Sequence, residues 1–140
     1  MQDKGEYTRS MGNNRYIPGV CNIGPAEIRM RRASGIFGLF VALAMFGLFY
    51  VVPVEPLLRL FIFVPAVLAA SGFLQAQLHF CARFGMQGLF NFGDDIRHQE
   101  SVDQAEYRRK DQRKAITIIA GSAAIGLVVA LVAYWLPLSN

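Results

Sequence analysis

Three long apolar runs divide the chain, at residues 35–52, 57–82 and 115–138, with polar sequence before the first and between the second and third. Each run approaches or exceeds the ~20 residues that an α-helix needs to cross the hydrocarbon core of a bilayer. The pattern predicts an all-α integral membrane protein with three transmembrane helices. Pro53 and Pro56 punctuate the short step between the first two runs, so these should form an antiparallel hairpin. Tyr50 at the end of the first run, and Tyr134 with Trp135 at the end of the third, are aromatic residues of the kind that settle at membrane interfaces.

The polar stretches also carry a pattern. Residues 1–15 read as a disordered tail. Residues 16–34 read as an interfacial juxtamembrane segment: YIPGVCNIG makes a turn at the membrane surface, then Pro25 and Glu27 open a short helix that meets the first span. Residues 83–114 read as a polar loop. Within it FGMQGLFNFG suits an interfacial or re-entrant segment, and Ser101 with Gln104 forms a capping box that starts a helix. No proline interrupts that helix until Pro137, so it should run unbroken into the third span. Glu106 and Lys110 stand in the favourable order for an ion pair one turn apart, and Asp111 is three residues from both Arg108 and Lys114.

Within the runs, small residues recur at helical spacing. Gly38 and Ala42, Gly72, and Ser122, Gly126 and Ala130 mark packing faces on the three helices. A sheaf of three cannot cover every such face by itself, which predicts packing against further membrane helices, as a homo-oligomer or in a larger complex. Ser71, Gln75 and His79 stack at four-residue spacing on one face of the second run, a polar stripe inside the membrane. Pro65 removes one backbone hydrogen bond, so a kink is expected there.

Composition agrees with the pattern: 54% of residues are hydrophobic, 17% are charged, and the mean hydropathy is +0.33. Charge sets the orientation. Thirteen of the 14 Lys and Arg residues lie before the first run or between the second and third; the exception is Arg59, expected to snorkel outward or pair with Glu55. The expected topology is N-in and C-out in the cell membrane, with the 83–114 loop cytoplasmic. Arg29, Arg31, Arg32, Arg113 and Lys114 would meet anionic lipid headgroups. The basic balance thus reflects membrane orientation and not nucleic-acid binding. No secretory signal peptide is expected, because the first apolar run follows some thirty polar residues.

The candidate chemistry is sparse. Cys21, His79, Cys81 and His98 are the residue types of a tetrahedral zinc site, but they lack paired-cysteine spacing, and His79 and Cys81 would diverge on a helix. No nucleophile elbow, phosphate loop or dinucleotide fingerprint is present, and no catalytic residue or cofactor is assigned. The acids of the 83–114 loop read as part of a solvated mixed-charge face. The sequence therefore favours a small non-enzymatic membrane protein, an accessory or structural subunit. The alternative is a small oligomeric channel or transporter using the Ser71, Gln75 and His79 face. The orientation predicts that a tag after Asn140 is labelled by an impermeant reagent in intact cells while a tag at Met1 is protected. Equal labelling of both ends would refute it.

Overall fold

A computed structural model describes residues 16–97 and 99–137. The 1–15 tail and His98 lie outside the described residues. The chain forms α1 (Pro25–Val51), α2 (Pro56–Leu78), α3 (Ala82–Gln87), β1 (Leu89–Phe90), β2 (Glu100–Ser101) and α4 (Ala105–Trp135). Of these, α1, α2 and α4 are long and apolar enough to cross a membrane. Two compact units share them. Arg31–Leu74 with Ile118–Asn140 makes a helical unit, and Met1–Met30 with Gln75–Thr117 makes a polar unit.

Several element boundaries differ from the sequence reading. The short helix before the first span is not separate: α1 begins at Pro25 and runs without interruption to Val51. Nothing between Ala26 and Gly35 breaks a helix, and Ser34 Oγ donates back to Arg31 O at 2.9 Å inside it. The second span ends at Leu78, not at residue 82. The helix leading into the third span starts at Ala105; Ser101 lies in β2, so no capping box forms there. Its continuity through to Trp135 is as expected. The 83–114 segment contains a short helix and a two-stranded antiparallel ribbon, Leu89 opposite Ser101 and Phe90 opposite Glu100.

Pro65 is accompanied by a local irregularity of the helix. The irregularity in α2 is a single 3-10 turn at Leu60–Ile62, one turn ahead of the proline. Pro65 has no N–H to give the carbonyl four residues back, that of Phe61, which lies within this 3-10 turn.

The helical unit is held by close backbone approach. A Cβ on Gly72 would collide with the backbone of Gly35, and one on Gly38 would stand 2.6 Å from the amide nitrogen of Ala69. A Cβ on Gly126 would overlap Val67 and press on the ring of Phe63. In lipid there is little hydrophobic drive between helices, so van der Waals contact at such approaches supplies much of the association. Ala42 packs against the core cluster of Phe49, Ile62, Ala130 and Ala133, and Ser122 is buried with its hydroxyl donating to Ile118 O at 2.8 Å. The small residues of these faces are thus used within this unit. What the unit exposes is large and apolar: Phe37, Phe40 and Leu43 on α1, Phe61 and Val64 on α2, Leu127 and Val128 on α4. An apolar surface of this extent suits acyl chains.

Arg59 corrects the snorkelling expectation. It is buried, and its guanidinium turns inward: Nε donates to Val54 O at 2.9 Å and Nη1 to Leu136 O at 3.0 Å. It thereby ties the α1–α2 connection to the carbonyl end of α4, where a cation is favoured by the helix dipole.

Gly72→Val should lower stability in detergent by about 1–3 kcal/mol through overpacking. Gly47→Ala is the control: nothing lies within 4 Å of a Cβ there, so the change should be neutral or slightly stabilising. Thermal unfolding of both variants checks the contrast.

Candidate functional site

The polar unit is built around the point where the second span stops. His79 adopts a left-handed backbone, φ 53°, the one non-glycine residue among those described with positive φ. The Phe80 N–H reaches back to Gln75 O at 3.0 Å, the six-residue closure of a Schellman ending with His79 where glycine is usual. Gln75 does more: its side-chain Oε1 accepts the Ala82 N–H at 3.0 Å. A helix end leaves carbonyls and amides without partners, and one glutamine serves two of these needs.

Asn22 completes the closure from elsewhere in the chain. Its Oδ1 accepts the Cys81 N–H at 2.7 Å, and its Nδ2 donates to Cys81 O at 3.1 Å. Its own N–H donates to His79 O, and its carbonyl accepts the Asn91 N–H. The side chain imitates a strand partner, which lets the buried Cys81 backbone leave the helix without stranded polar groups. Next to it Gly24 N–H donates to Asn91 O, and Ile23 packs with Cys81 and Phe84 in a small core flanked by Ile28 and Leu89.

The third fixed point is Asp111. It is fully buried, although its neighbours Lys110 and Gln112 are exposed. Oδ2 accepts the Tyr16 hydroxyl at 2.6 Å and Oδ1 accepts the Gly19 N–H at 2.7 Å. The Tyr16 ring stacks on Phe90 with centroids 4.9 Å apart. Asp111 therefore departs from the solvated mixed-charge face. Among the described residues of that segment, Asp94, Asp95, Arg97, Glu100 and Asp103 are exposed as expected, and Glu106 and Lys110 pair at 3.2 Å.

The sequence candidates can now be placed. Ser71 and Gln75 are on α2, but His79 is beyond its end and exposed, so the three do not form one helical face. Gln75 is buried with its side-chain acceptor directed to the Ala82 N–H, at the end of the second span. Cys81 is buried and Cys21 half-buried with its thiol 3.7 Å from Ile23 O. Among the described residues no three His, Cys, Asp or Glu side chains gather in a metal-binding group. Burial pushes the Cys21 thiol above its ordinary pKa, so little thiolate forms near neutrality.

Sequence reasoning missed Asn22, Asn91 and the role of Asp111. Two of them had a faint signal. Asn22 is the one amide inside an otherwise apolar VCNIG, and Asp111 is the single acid in RRKDQRK. No protein-family model, no curated protein and no solved structure matches the chain.

Two outcomes follow. Asn22→Leu should cost about 3 kcal/mol, because it strands the Cys81 N–H and C=O in the interior. His79→Gly should gain about 1 kcal/mol by removing the left-handed penalty. Denaturant titration in detergent reads both. Maleimide should label neither cysteine quickly in the folded protein at neutral pH, and both after denaturation; rapid native labelling of Cys21 would contradict the buried-thiol account.

Proposed function

We propose that the chain is a non-enzymatic membrane subunit whose three apolar helices carry the polar unit at the cytoplasmic face of the cell membrane. There it presents the exposed mixed-charge segment 94–106 to a partner in a membrane assembly. The observation that carries this reading is the use made of the buried polar side chains. Asn22, Gln75 and Asp111 bond to backbone amides and carbonyls or to a tyrosine hydroxyl that fixes the chain. Such groups stiffen a surface; they do not gather a nucleophile, a base and a substrate cleft in the manner of an enzyme site. The charge distribution supports the N-in orientation. Arg29, Arg32 and Arg113 are exposed, and Arg31 and Lys114 partly so, in keeping with contact to anionic headgroups.

The partner is a membrane complex or a second copy of the chain, and the segment 94–106 is the proposed recognition surface. Charge reversal at Asp94, Asp95 and Glu100 to Lys should abolish co-purification of partners from native membranes in mild detergent while leaving the melting temperature unchanged. Retention of every partner by that variant would defeat the assignment of the surface. Gln75→Leu in liposomes distinguishes the channel alternative: solute flux that depends on Gln75 would favour transport over the subunit reading.

A further inference from the structure

The turn that opens the polar unit has a feature that the docking proposal does not use. It is tightly closed: Ile17 N–H donates to Cys21 O, and the Cys21 and Val20 N–H groups both donate to Ile17 O, each at 2.9 Å. Gly19 takes φ 71° at its tip. Yet Ile17 is 48% and Val20 54% exposed, two aliphatic side chains displayed by a rigid turn. One exposed aliphatic residue is ordinary on a protein surface; here two stand at the ends of a single hydrogen-bonded turn, joined by the Val20 N–H to Ile17 O bond.

Its depth identifies what covers them. The Asp111 carboxylate holds the Gly19 amide, and Gly19 lies against Lys110. Asp111 precedes Ala115, the first residue of the uncharged stretch of α4, by four positions. At 1.5 Å per residue the turn is pinned about 6 Å from the edge of that stretch, measured along the helix. The headgroup layer is roughly 5–8 Å deep on each side of the hydrocarbon core. With the edge of the hydrocarbon core at Ala115, the turn would lie within the headgroup layer and not in bulk water. Arg113 and Lys114 stand three and four residues beyond Lys110, on the same side of α4 and closer to the core.

We propose that the 16–21 turn is a lipid foot. It inserts Ile17 and Val20 into the headgroup–acyl boundary of the bilayer that holds the spans, beside a cationic pair, Arg113 and Lys114, that selects anionic phospholipid. Rigidity is what makes this effective: the loop pays no ordering cost on insertion, and the apolar contact adds to the attraction between cations and anionic headgroups. The inference rests on the membrane spans and on the Asp111 anchor. It does not depend on the partner-docking reading, which concerns segment 94–106.

The test uses the full-length protein in nanodiscs. Val20→Trp and Asp95→Trp are each made in a Trp135→Phe background, with Ile17→Trp as a second reporter if the first variant fails to fold. The lipid is phosphatidylcholine with and without phosphatidylglycerol, containing phospholipid brominated near the carbonyl end of its chains. The tryptophan at position 20 should emit further to the blue than that at 95, be quenched several-fold more by the brominated lipid, and be quenched more again when phosphatidylglycerol is present. Arg113→Gln with Lys114→Gln should remove that last increment. Two results would overturn the proposal: quenching at position 20 no greater than at 95, or a blue shift without lipid quenching, which would mean that protein covers the turn.

Discussion

A transmembrane helix can end only where its orphaned backbone groups find partners, and in this chain that requirement falls on the residues after Leu78. Gln75 supplies two acceptors, one from its backbone and one from its side chain. Asn22 supplies a donor and an acceptor to Cys81. Because Asn22 comes from the opening segment, ending the second span and fixing that segment are one event. The rest of the polar unit follows from it: Ile23 is placed to bridge Asn91, Gly24 to bond Asn91 O, and Tyr16 and Gly19 to meet Asp111. A failure at Asn22 would release all of these together, since the bonds share one short stretch of chain.

The helical unit solves a different problem. Lipid removes the usual advantage of apolar burial, so contact must come from close approach and from polar groups with no better partner. Gly72 against Gly35 supplies the first kind, and Arg59 the second. A buried guanidinium in an apolar setting is costly unless it is hydrogen-bonded, and here the carbonyls of Val54 and Leu136 accept its protons. The same bonds fasten the last turn of α4 to the connection between α1 and α2.

These arrangements bear on function through what they consume. Two buried carboxylates, Glu27 and Asp111, and three buried amide side chains, those of Asn22, Gln75 and Asn91, would ordinarily attract attention as candidate chemistry. Asp111 has both oxygens engaged, and Asn22 and Gln75 accept or donate to main chain. Asn91 does likewise, donating to Asp95 O and accepting the Gly93 N–H. The exposed polar groups lie in the mixed-charge segment and among the basic residues near the helix ends.

The sequence by itself determined the number of membrane-length helices and the unbroken entry into α4, because hydropathy over twenty residues and the absence of proline are local properties that no tertiary contact needs to supply. It also identified the small residues, though not their partners. That they pack against one another could be decided only in three dimensions, where Gly72 meets Gly35 and Gly126 meets Val67. The end of the second span was illegible for a similar reason. Apolar character continues through Phe80 and Cys81, so composition places the boundary late; the helix stops at Leu78 because Asn22, distant in sequence, offers the backbone a better set of bonds. Asp111 shows the limit most plainly: within a run of charges it looks solvated, and only a tyrosine and a glycine amide some ninety residues away draw it inside.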